Sequence, residues 1–125
     1  MISFFINPKE KSISEVLLSK ESEDNIYLVK IWDTIRLLLE TEFVDGMPYD
    51  EDGYIFYRQQ DYSSGSDGKH WIKVKGIDKT KIVFGNSLLV FPNLSKNAID
   101  LLQTTIYYKI TFLDDYKIPT QDFEL

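Results

Sequence analysis

Residues 22–43, SEDNIYLVKIWDTIRLLLETEF, constrain the fold more than any other stretch of the chain. At helical spacing Leu28, Trp32, Ile35, Leu39 and Phe43 fall on one face, with Ile31 and Leu38 beside them. Lys30, Asp33, Thr34, Arg36, Glu40 and Glu42 sit mainly off that stripe. A helix with one apolar face must bury it, so the spacing predicts a central helix over 22–43 with Trp32 as a buried anchor. Ser22 suits an N-cap, Glu23 and Asp24 stand where the helix dipole favours anions, and Gly46 and Pro48 mark the end.

The remaining segments are shorter and more strand-like. Residues 2–6 form an apolar run closed by Asn7-Pro8, which suits a strand and a turn because Pro8 has no amide to donate. Ser12 and Glu15 have capping-box spacing ahead of Val16, Leu17 and Leu18, which predicts a short helix over 13–20. Residues 45–53 read as an acidic loop, 54–60 as a strand and 63–68 as flexible turn material. Residues 70–76 alternate, with His70, Ile72 and Val74 on one face and Lys69, Trp71, Lys73 and Lys75 on the other. Gly85-Asn86 joins strands at 81–84 and Ser87–Phe91. Ser95 suits the N-cap of a helix carrying Ala98, Ile99, Leu101 and Leu102, and Ile106, Tyr108, Ile110 and Phe112 share one face of a last strand over 105–112. This order predicts a single α+β domain over 1–125, an antiparallel sheet of about five strands with two or three helices on one face, and a flexible acidic tail over 114–125.

Chemistry is bounded mainly by absences. The chain has no cysteine, which excludes disulfides, thiolate zinc sites and a thiol nucleophile. His70 is the single histidine, so histidine pairs and an HExxH zinc helix are excluded, and its place beside Ile72 and Val74 suits a structural role. Asp50, Asp52 and Gly53 imitate part of an EF-hand loop, but that frame puts Pro48 and Gln59 where the first carboxylate and the bidentate glutamate belong. No phosphate-binding glycine loop and no G-x-S-x-G elbow occurs, so no cofactor is expected. The apolar runs are too short for a signal peptide or a membrane span, which predicts a cytoplasmic protein without a membrane partner. Trp71 among the lysines of 69–81 is the one start for nucleic-acid binding, but the segment lacks arginine and the net charge of −6 opposes it.

A protein partner remains, and a basic one. Segment 44–54 carries Asp45, Asp50, Glu51 and Asp52 with Tyr49 and Tyr54, and Glu40 and Glu42 extend the acidity onto the helix end. Aromatic anchors among carboxylates suit a positively charged protein, where charge speeds encounter and ring burial holds the complex. Tyr116 and Phe123 among Asp114, Asp115, Asp122 and Glu124 repeat that composition in the tail. In size, acidity, single-domain build and lack of catalytic motifs, the chain resembles bacterial polymorphic-toxin immunity proteins, including those of contact-dependent growth inhibition. The resemblance implies a non-catalytic inhibitor that occludes a basic toxin such as a nuclease. Two other functions fit the same residues: an adaptor or regulatory module with this surface, and a small enzyme using carboxylates and His70.

Overall fold

The computed structural model describes residues 1–18, 25–60, 65, 67–94 and 96–117. The elements follow in the order β1 (Ile2–Asn7), β2 (Ser12–Val16), α1 (Asn25–Leu39), β3 (Val44–Pro48), β4 (Tyr54–Arg58), β5 (Trp71–Lys75), β6 (Thr80–Phe84), β7 (Ser87–Phe91), α2 (Ile99–Lys109) and β8 (Ile110–Leu113). They build an α+β domain with two antiparallel sheets, ordered β2-β1-β7-β4-β3 and β6-β5-β8. The expected caps Ser22 and Ser95, the acids Glu23 and Asp24, the side chain of Leu28, Ser63, Ser64 and Ser66 of the turn, and the tail from 118 onward lie outside the described residues.

β7 occupies the middle of the larger sheet because its sequence is apolar on both faces. All of SLLVF is buried. Leu89 and Phe91 meet Ile2, Phe4, Ile6, Ile55 and Tyr57 on one side, and Leu88 and Val90 meet Ile35 and Leu39 of α1 on the other. A strand sandwiched in this way reads as a continuous hydrophobic run. The first side is covered by Ile72, Val74 and Val83 of the three-stranded sheet and by Leu102 and Ile106 of α2. The helices therefore lie on opposite sides of the larger sheet, and a second sheet shares the covering role.

Local readings change in five places. Residues 12–16 are strand rather than the start of a helix, because the turn after Asn7 sends them back along β1, pairing Asn7 with Ser12 and Ser3 with Val16. The Asn7 carboxamide accepts the amides of Lys9 and Glu10 at 3.1 and 3.3 Å, and Ser3 Oγ donates to the Val16 carbonyl at 2.6 Å. Long-range pairing thus outweighs a local capping pattern. Residues 44–48 are an edge strand rather than loop, so only 49–53 turn, closed by the Tyr49 amide on the Gly53 carbonyl at 2.9 Å. α1 ends at Leu39, short of Phe43. Among its described side chains the buried stripe is Ile35 and Leu39 with Ile31 and Leu38 beside them, while Trp32 and Phe43 are exposed. Residues 105–109 continue α2 rather than beginning a strand: Leu102, Ile106 and Ile110 are all buried four apart, a helical interval, and leave Tyr107 and Tyr108 in solvent. His70 precedes β5 with φ 66° and is half-exposed, not aligned with the buried Ile72 and Val74.

The chain after β8 is docked as far as it is described. Tyr116 donates its amide to the Gly68 carbonyl at 3.0 Å, and its ring lies 4.9 Å from that of Trp71. The Trp71 indole in turn donates to the Gly65 carbonyl at 2.9 Å.

Candidate interaction surface

The acid-rich segment folds into the β3–β4 hairpin at one edge of the larger sheet, beside the end of α1. Alternation along β3 and β4 decides which side chains reach the surface. Met47 and Tyr49, two apart, both turn into the core, as do Ile55 and Tyr57 opposite. Tyr54 and Phe56 turn the other way, toward α1. There Trp32 meets Phe56 edge-on at 5.4 Å, and Phe56 lies 5.0 Å from Tyr54, making one aromatic row from helix to hairpin. Gly46 lets the row lie flat across β3, since a Cβ there would sit 2.4 Å from Tyr54 Cε1 and 3.2 Å from Phe56 Cδ1.

Beside this row is a shallow depression of about 380 Å³ lined by Trp32, Arg36, Glu42, Phe43, Val44, Asp45 and Gln59. Phe43 is 65% exposed although its backbone is held at both ends. Its amide donates to Thr41 Oγ1 at 3.1 Å, and its carbonyl accepts the Gln59 amide at 3.0 Å. Trp32 is 40% exposed and Tyr54 38%. Arg36 is engaged by Asp33 at 3.0 Å; the only other ion pair among the described residues joins Lys11 to Asp114. Glu42 and Asp45 therefore border exposed rings without a paired cation among the described residues.

The expected site residues do not form one patch. Glu42 and Asp45 flank the depression. Asp50, Glu51 and Asp52 occupy the hairpin turn, roughly 13 Å along β3 from its start, where the Asp50 carboxylate accepts the Asp52 amide at 2.8 Å. Glu51 and Asp52 are exposed and Asp50 half-buried, with Tyr54 at the head of β4. Tyr49 is fully buried, so its ring is core and not surface. Burial, aided by the nearby Asp50 charge, holds its hydroxyl well above the usual tyrosine range. The Lys109 ammonium donates to the Tyr49 carbonyl at 2.6 Å and sits 3.9 Å from the ring centroid. Burial lowers the Lys109 pKa, opposed by the attraction of Asp50. Glu40 faces a separate cavity with His70.

Sequence reasoning missed Trp32 and Phe43 as surface residues because the apparent stripe ran unbroken to Phe43. The acid-polar cluster Glu40-Thr41-Glu42 was the available sign that the helix stops first. A second exposed apolar group, Leu101, Tyr107 and Tyr108, lies on α2 but has only Asp100 among its lining acids. Among the described residues no group of three or more His, Asp or Glu is placed to hold a metal ion, and no helix is long and apolar enough to cross a membrane. No family model, curated protein or solved structure matches the chain.

Proposed function

We propose that this chain is a non-catalytic inhibitor of the immunity-protein type, which occludes a basic toxin domain such as a nuclease with the edge formed by α1, β3 and β4. The observation that carries this reading is the pinned backbone and exposed ring of Phe43, beside Trp32 in one depression bordered by Glu42 and Asp45, with the aromatic row running on from Trp32 through Phe56 to Tyr54. A rigid exposed aromatic surface loses little conformational entropy on binding, which is the economy of an interface hot spot. The carboxylates of Glu42 and Asp45 form its rim, and Asp50, Glu51 and Asp52 at the distant hairpin turn add negative potential that favours a basic partner and speeds encounter. Tyr49 supports the hairpin from inside and takes no part in contact.

Co-expression with the product of the adjacent reading frame, followed by affinity capture, tests this function. A captured basic protein, protection from its toxicity, and association that weakens with salt are the expected results. Phe43→Ala and Trp32→Ala should each reduce affinity by about 2 kcal/mol, mainly through faster dissociation. Charge reversal at Asp50, Glu51 and Asp52 should mainly slow association. Capture without protection would favour the adaptor function on the same surface, and an undiminished affinity in both aromatic variants would remove this edge from the interface.

A further inference from the structure

A second cavity, of about 220 Å³, lies where several connections meet, lined by Asn7, Pro8, Lys9, Glu40, Arg58, His70, Phe84, Gly85 and Asn86. Its charged groups are distinct from those of the aromatic edge, and among the described residues neither Lys9, Arg58 nor Glu40 is in an ion pair. The Arg58 guanidinium is laid over the Phe84 ring at 5.4 Å. Gly85 leaves it room: with φ 89°, a Cβ there would stand 2.8 Å from Arg58 Cδ.

The backbone around the cavity is costly. Three described non-glycine residues have a left-handed backbone, and two of them, Glu40 at φ 56° and His70 at φ 66°, line this one cavity. Both are held in place: the Gly85 amide donates to the His70 carbonyl at 2.9 Å, the Glu40 and Thr41 amides cap α1 on the Leu37 and Arg36 carbonyls, and the Asn86 carboxamide donates to the Leu38 carbonyl at 3.2 Å. Strained residues that persist under such constraint gather at functional sites. Glu40 is also doubly unsuited to its position for folding alone. It occupies the position after a helix end where glycine is preferred, and it adds a negative charge beside the negative end of the dipole.

We propose that this cavity binds a small oxyanion, a phosphate or a carboxylate, carried on a molecule whose amine or hydroxyl bonds to Glu40. Arg58 presents a planar fork suited to an oxyanion, Lys9 adds charge at the rim, and Phe84 supports the guanidinium from behind. The cavity is smaller than the usual range for drug-sized ligands, about 300–1,000 Å³, so it selects a compact molecule. This site is independent of the inhibitor function and stands or falls separately.

The test is an amide-resolved NMR titration of the intact chain with three probes: inorganic phosphate, phosphoethanolamine and β-alanine. Saturable shifts confined to the amides of Lys9, His70, Gly85 and Asn86 are expected, with the better of the two amine-bearing probes identifying phosphate or carboxylate as the preferred group. Arg58→Gln should weaken binding about tenfold or more, and Lys9→Gln by a smaller factor. Glu40→Gln should abolish the advantage of phosphoethanolamine over inorganic phosphate. Absence of a saturable shift with every probe up to about 10 mM would overturn the proposal, as would unchanged binding in a folded Arg58→Gln. Should Arg58→Gln fail to fold, unchanged affinity in Lys9→Gln, whose side chain is on an exposed turn, would overturn it instead.

Discussion

Glu40 and Tyr49 are residues at which local energetics and position disagree, and each yields a prediction. At Glu40 the helix is closed by the pair of bonds from Glu40 to Leu37 and from Thr41 to Arg36, 3.2 and 3.1 Å, with Glu40 at φ 56° between them. Glycine meets that conformation without a Cβ penalty and removes the carboxylate from the dipole's negative end, so Glu40→Gly should raise stability by about 1 kcal/mol in urea unfolding. A loss of stability would mean that the side chain has a structural partner of its own. Tyr49 has a buried hydroxyl with no hydrogen-bond partner among the described residues. Tyr49→Phe should therefore raise stability by about 1 kcal/mol at neutral pH. The alkaline limb separates the two forms further. Since the folded chain keeps this phenol protonated above its ordinary pKa of 10.0, the unfolded state holds fewer protons there, and stability falls as pH rises past that value. The wild-type decline attributable to this group approaches about 1.4 kcal/mol per pH unit and should be absent from Tyr49→Phe; parallel pH–stability curves would refute the buried assignment.

Among the elements, α1 shows how much burial depends on helix phase. Leu39 is fully buried against Leu88 and Val90, so Leu39→Ala should cost about 2–5 kcal/mol. Trp32 keeps 40% of its surface exposed and contributes one edge-on ring contact, so Trp32→Ala should cost well below the about 3–5 kcal/mol of a buried tryptophan. Chemical denaturation of the two variants checks the order, and a larger loss at Trp32 would reverse the assignment of faces. The helix itself was legible from its spacing, as were β1, β5 and β7 from short β-rich runs. Its phase was not, because 22–43 offers apolar residues over a wide arc and only the strands it meets choose among them. β2 was illegible for a related reason, since Ser12 and Glu15 carry a helix-start pattern while the partner that makes 12–16 a strand is β1. Of the candidate site, the acids at Glu42, Asp45, Glu51 and Asp52 were legible as surface because charge demands solvent. Tyr49 was not separated from Tyr54, although Met47 and Tyr49 stand two apart as alternate residues on one side of an extended segment. Nothing in the order of residues marks the cavity shared by Glu40, Arg58 and His70, which exists only where separate connections converge.

For the molecule as a whole, the two sheets share one core, and this governs how it comes apart. Ile72, Val74 and Val83 of the three-stranded sheet pack in the same cluster as Ile2, Phe4, Leu89 and Phe91 of the larger one, and Leu102 and Ile106 of α2 belong to it too. Leu88 and Val90, from the middle strand of the same larger sheet, carry the contact to α1. Removing either layer exposes a face of the larger sheet, so neither has a reason to persist without the other, and a single cooperative transition follows. The two tryptophans report on the two ends of this arrangement, Trp32 at the α1 face and Trp71 in the three-stranded sheet. Trp71→Phe leaves Trp32 as the reporter, and Trp32→Phe leaves Trp71. Each substitution shifts stability in its own way, since Trp71 also bonds the Gly65 carbonyl, so the comparison belongs within each variant rather than between them. In both, tryptophan fluorescence and far-UV circular dichroism should give the same urea midpoint and slope. A fluorescence midpoint in the Trp71 reporter that precedes the loss of secondary structure would identify the three-stranded sheet as a separately unfolding unit, and the shared core would then be too weak to couple the layers.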